Sequence, residues 1–97
     1  MTRAEMKSKM KSRVAMLEER FAERYERCTV GSRQCFLRPD GVLFALDYLG
    51  PYGALVIEYA ENVEEVKLNR FEDGDLFYLE EMDEETMFRA MLREIEQ

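Results

Sequence analysis

The chain has 97 residues, enough for one domain over 1–97 and not for two. Its composition, 46% hydrophobic and 36% charged, is too apolar for a disordered tail. Acids outnumber bases 21 to 14, and the absence of histidine excludes Ser–His and Cys–His nucleophile pairs and the usual His-bearing zinc sites.

Thr2-Arg3-Ala4-Glu5 reads as a capping box, in which the Thr2 hydroxyl accepts from the Glu5 amide and Glu5 reaches back. Met6, Met10, Val14, Leu17, Phe21, Tyr25 and Cys28 then follow at spacings of 4, 4, 3, 4, 4 and 3, which is one face of a helix. No glycine or proline interrupts this stretch, and Glu23–Arg27 is a candidate i,i+4 pair. The pattern predicts an amphipathic helix over 2–28, with Gly31 as its left-handed cap. Such a helix spans roughly 40 Å. A compact chain of this size has a diameter of about 30–35 Å, so one end should overhang. Residues 1–13, with five bases and one acid, are the expected overhang.

The period then changes, and a sheet is expected over 34–82. Gln34–Arg38 is a short apolar strand, and Pro39-Asp40-Gly41 is a turn. Val42–Tyr48 is a strand apolar on both faces, Leu49–Gly53 a second turn, and Ala54–Ala60 the next strand. Val66, Leu68 and Arg70 alternate with Glu65, Lys67 and Asn69, which predicts a half-exposed strand. Asp73-Gly74 carries a hairpin signal before a last strand over Leu76–Glu81. Asp83 is placed to cap a final helix over 84–96, whose apolar stripe is Met87, Phe88, Met91, Leu92 and Ile95. The expected fold is a two-layer α+β domain: a long N-terminal helix, a four- to five-stranded antiparallel meander and a C-terminal helix. If both helices cover one sheet face, Val42, Phe44, Leu46 or their opposites are expected to be exposed as a binding patch on the other.

No constellation of residues points to catalysis, a cofactor, a metal or a small-molecule ligand. Cys28 and Cys35 lack the C-x-x-C spacing and are expected to pack as reduced thiols, Cys28 on the helix and Cys35 in the first strand. The acids at 80, 81, 83, 84 and 85 straddle a strand end and a helix start, so their side chains diverge, and no EF-hand pattern surrounds Gly74. Gly50-Pro51-Tyr52-Gly53 is a turn between strands rather than a phosphate loop.

The charge is segregated. Residues 1–30 hold eight bases and five acids, and residues 31–97 hold six bases and sixteen acids. So acidic a body disfavours nucleic-acid binding, and no apolar run indicates a leader or a membrane span, so the cytoplasm is expected. The leading expectation is a non-enzymatic protein–protein interaction domain, a homodimer or a binder of another protein. Its candidate contacts are Met6, Lys7, Met10, Lys11 and Arg13 on the first helix and Tyr48 and Tyr52 near the second turn. The basic helix of one copy could lie on Glu58, Glu61, Glu64 and Glu65 of another. The alternative is an acidic inhibitor or immunity-type protein that neutralises a basic partner such as a nuclease.

Overall fold

The structure, a computed structural model, describes residues 2–97. Helix α1 (Arg3–Ala22) starts where expected: the Glu5 amide donates to the Thr2 hydroxyl oxygen at 3.1 Å, and that hydroxyl donates to the Glu5 carboxylate. It stops six residues short of the predicted end. The amides of Arg24 and Tyr25 both donate to the Phe21 carbonyl, at 2.9 and 2.8 Å, and the chain leaves the helix there. The Tyr25 ring stays in the core, 6.4 Å from Phe21 and edge-on to Phe44 at 5.1 Å. The apolar spacing therefore continues although the helix does not.

Residues 26–30, which include β-branched Thr29 and Val30, form strand β1 (Glu26–Val30). It pairs antiparallel with β2 (Arg33–Leu37), setting Cys28 opposite Cys35. Gly31 has φ of 60° and Ser32 has no positive φ, the pattern of a type II′ hairpin turn rather than a helix cap. Glu23–Arg27 is thus not a helical pair.

Strands β3 (Leu43–Leu49) and β4 (Ala54–Ala60) lie close to their predicted limits, joined through a 3₁₀ turn over Gly50–Tyr52. The predicted strand around 65–70 is instead a short helix, α2 (Val63–Lys67). Asn62 caps it by accepting from the Glu65 amide at 3.0 Å. Asn69 ends it in the left-handed region, with the Arg70 amide bonded back to Glu65 at 2.8 Å. Strand β5 (Glu72–Tyr78) and α3 (Glu84–Ile95) complete a five-stranded antiparallel meander in the order β1-β2-β3-β4-β5. Asp83 caps α3 as expected, accepting from Thr86 at 2.8 Å.

Both long helices cover one sheet face, so the fold is the expected two-layer α+β arrangement. Met10, Leu17 and Phe21 of α1 and Met87, Phe88, Met91 and Ile95 of α3 enclose Phe36, Phe44, Leu46, Leu55, Ile57 and Phe77. The other face does not carry the patch expected of it. Leu43 and Ala45 are 2% and 0% exposed, within a second apolar cluster that Val66 of α2 and Phe71 complete. The helix missed in the sequence covers that face in part.

The expected turn at Asp73-Gly74 lies inside β5. Leu76 pairs with Val56 and Asp73 with Glu58, leaving Gly74 and Asp75 together opposite Ile57 as a bulge. Glu94 of α3 rests on it. The Glu94 carboxylate accepts from the Asp75 amide at 2.6 Å and from the Tyr59 hydroxyl. Burial, then that carboxylate, holds the Tyr59 phenol well above its ordinary range, so it acts as a neutral donor. A Cβ at position 74 would collide with the Glu94 carboxylate.

Gly74→Ala is therefore expected to dislodge Glu94 and cost about 0.5–1.5 kcal/mol, the net worth of a typical hydrogen bond in a partly exposed network, measured by urea denaturation. A second expectation concerns pH. Three carboxyls have folded pKa values below their ordinary ones: Asp83 through the Thr86 amide, Asp40 through the Val42 amide and then Arg38, and Glu85 through Arg20. A depressed folded pKa gives stability that is present above the ordinary value of 3.8 for Asp or 4.5 for Glu and lost as pH falls through the folded one. The melting temperature should fall with acidification below that window, and the Asp83→Asn chain should show a shallower fall.

Candidate functional site

The start of α1 crosses the end of β3 and the 3₁₀ turn, and a groove of about 660 Å³ opens between them. Its apolar lining is Met6, Met10, Tyr48 and Pro51, with Gly50 beside them, and Thr2, Arg3 and Lys7 supply the polar part. Helical spacing sets Met6 and Met10 one turn apart and does the same for Arg3 and Lys7. The Met6 side chain passes over Gly53, whose φ is 60°, and a Cβ there would sit 3.4 Å from the Met6 methyl. Glycine thus serves both the left-handed turn and the close approach of the thioether.

Among the described residues no acid lines the groove, although the chain as a whole carries seven excess negative charges. Among the described residues, Arg3, Lys7 and Lys11 take part in no ion pair (Arg20, Arg33, Arg38, Lys67 and Arg89 do).

The expected contact residues are only partly brought together. Met6, Lys7, Met10 and Tyr48 line this one groove. Met10 is 1% exposed, however, so it forms part of the core beneath the groove rather than an adaptable surface contact. Tyr52 is 64% exposed on the far side of Pro51, beside a smaller cavity of about 290 Å³ that Glu80 and Glu81 also line. Lys11 is exposed and lies outside the groove lining. Arg13 is internal: its half-buried guanidinium donates to the Met82 carbonyl at 3.0 Å and to the Met87 sulfur at 3.7 Å, fastening α1 to the approach to α3.

The expected overhang is absent. Twenty residues of α1 span roughly 30 Å, within a molecule 38 Å long, and Met6 and Met10 hold its first turns down. Met1 of that segment lies outside the described residues. Arg3, Thr2, Gly50 and Pro51 complete the groove and were not among the expected contacts. Arg3, four residues before Lys7, was the one legible signal.

The proposed acidic counter-surface is partly neutralised from within. Glu58 pairs with Arg33 at 2.7 Å and Glu64 with Lys67 at 3.6 Å. Glu61 and Glu65 line a cleft of about 770 Å³ that Arg38 and Arg70 share. The acids at the start of α3 are also engaged, Glu84 and Glu85 with Arg20 and Glu85 also with Arg89. Among the described residues, no group of three His, Cys, Asp or Glu side chains is placed to hold a metal ion.

Cys28 lies on β1 rather than on the helix, and both thiols are free. Burial pushes the Cys35 thiol up, which suits a packing role. No helix among the described residues is long and apolar enough to cross a membrane. Compared with known proteins, the chain matches no family model, no curated protein and no solved structure.

Proposed function

We propose that this is a non-enzymatic interaction domain of the cytoplasm, working by protein–protein contact as a homodimer, and that the groove between α1 and the 3₁₀ turn is where a partner segment docks. The observation that carries the reading is the groove's make-up: apolar Met6, Met10, Tyr48 and Pro51 beside cationic Arg3 and Lys7, with no acid in the lining. That chemistry fits a short segment with an apolar anchor and flanking carboxylates. Met6 supplies polarisable, adaptable surface over the buried Met10, and tyrosine supplies contact area at low entropic cost. The cations contribute steering and orientation more than affinity.

Local stability argues the same way. Like charges at i,i+4 destabilise a helix by about 0.2–0.5 kcal/mol per pair. Bases in the first turns also oppose the helix dipole. Arg3, Lys7 and Lys11 break the spacing rule on one helical row, and Arg3 in the first turn breaks the dipole rule as well. Such departures from local consistency are typical of functional surfaces.

Selection from a library of displayed random peptides tests the reading. Peptides that combine Asp or Glu with Leu, Ile or Phe should be enriched. Their binding should weaken at high salt and fall about tenfold or more on Lys7→Glu, which places a like charge in the groove. Absence of enrichment, or binding indifferent to Lys7→Glu, overturns it.

A further inference from the structure

The two outer strands of the sheet differ. The β5 edge is interrupted by the Gly74–Asp75 bulge, on which the Glu94 carboxylate rests. Bulges and inward charges are common guards against edge pairing. The β1 edge has an unbroken register and no bulge, and its exposed charges are one acid, Glu26, and one base, Arg27.

Which β1 groups face outward follows from the hydrogen bonding of β2. The Arg38 amide donates to the Val42 carbonyl at 2.9 Å, so that pair is hydrogen-bonded. Hydrogen-bonded and non-hydrogen-bonded pairs alternate along an antiparallel ladder. Phe36 and Gln34 therefore turn their amides towards β3, while Leu37, Cys35 and Arg33 turn theirs towards β1. Their β1 partners Glu26, Cys28 and Val30 are satisfied internally. Arg27 and Thr29 are left with amide and carbonyl directed away from the sheet.

From this edge we infer that a second copy of the chain pairs with the first, antiparallel through β1, about a two-fold axis at Cys28. Only odd-numbered residues offer outward groups, which leaves few registers. An axis at Arg27 sets Arg27 against its own copy, a like-charge pair that destabilises a sheet. An axis at Thr29 shortens the overlap. The axis at Cys28 pairs all of 26–30, setting Arg27 against the copy's Thr29 and Glu26 against its Val30, with no like charges opposed. Arg27 and Thr29 then exchange their outward bonds, and the two Cys28 residues meet as a non-hydrogen-bonded pair, the kind whose side chains approach closest. No groove-lining residue belongs to β1, so both grooves stay open. The inference deepens the homodimer reading above and rests on it.

Thr29→Pro is the discriminating variant. Its missing N–H is an outward one, so the internal ladder keeps its bonds. Light scattering over a wide concentration range should give the parent twice the 11.5 kDa chain mass, and the folded Thr29→Pro chain the single mass.

Should Thr29→Pro not fold, the Cys35→Ala chain supplies the second measurement. With an aromatic disulfide as oxidant, one Cys28 thiolate attacks it and releases one aromatic thiol. The copy's Cys28 then attacks the mixed disulfide and releases the second thiol. Two thiols are oxidised and one aromatic disulfide reduced, giving a covalent Cys28–Cys28 dimer, whereas a chain that stops at the mixed disulfide overturns the inference.

A parent that stays monomeric at every concentration overturns the inference. So does a folded Thr29→Pro chain that remains dimeric, or a dimer that Lys7→Glu dissolves and Thr29→Pro leaves intact. Peptide capture by the groove does not depend on Thr29, so the groove reading and the edge inference fail separately.

Discussion

The Phe21 ring is where α1, the start of β1, β2, β3 and α3 meet. Its centroid lies 5.0 Å from Phe88, 5.6 Å from Phe44, 6.1 Å from Phe36 and 6.4 Å from Tyr25, and it is wholly buried. Offset and edge-on aromatic contacts add about 0.5–1.5 kcal/mol per pair to the burial itself, so this cluster fixes the angle of α1 as well as its attachment. The preceding residue works on the outside of the same turn. The Arg20 guanidinium stacks on the Phe88 ring, 3.9 Å from its centroid, and pairs with Glu85 at 2.7 Å. With one end of the helix fixed in this way, the other is carried over Tyr48 and the 3₁₀ turn. The groove is thus a consequence of where Phe21 sits.

Covering one face with both long helices leaves the strands with a second apolar face to account for. Leu43 and Ala45 cannot face water without cost, and a helix as short as α2 has little stability of its own. The two needs meet at Val66, the one fully buried residue of α2. Caps at both ends of α2 satisfy its backbone, so five helical residues suffice to roof Cys35, Leu43, Ala45 and Ala60.

This explains which parts of the fold were legible in the sequence. Ala54–Ala60 and the start of α3 are governed by local signals, a short apolar run after a turn in one case and the Asp83 cap in the other, and tertiary contacts reinforce them. The end of α1 could not be read from spacing, because Tyr25 reaches the Phe21–Phe44 cluster from outside the helix and so preserves a helical pattern. Residues 65–70 alternate in sequence, yet of Val66, Leu68 and Arg70 only Val66 turns inward, and one buried position fits either period. Asn62 and Asn69 were the better guide there. Asp73-Gly74 reads as a turn locally, and only the Glu94 carboxylate, twenty residues on, requires a glycine in that place. The groove lay further out of reach. It joins the α1 row of Met6 and Met10 to Tyr48, and helical periodicity is silent on which loop a helix crosses. Arg13 shows the converse, a base that looks free in sequence and is bonded to the Met82 carbonyl in the fold.

The net charge acquires a different meaning once each base is located. Arg13, Arg20, Arg33 and Arg38 have internal partners, and they hold helices, strand and turn in place. The bases left facing solvent on α1 include Arg3, Lys7 and Lys11, on one row of a helix whose spacing disfavours all three and whose dipole disfavours Arg3. The acids are concentrated in the rest of the chain, where residues 31–97 hold sixteen against six bases. If a partner segment docks in the groove as proposed, a cationic, apolar groove in an acidic molecule discriminates by rejection as well as by attraction. In the proposed reading, an anionic segment is favoured at the groove and a cationic one is drawn to the acidic surfaces elsewhere. Specificity of that kind comes from where the charge is, and a sum of −7 hides it.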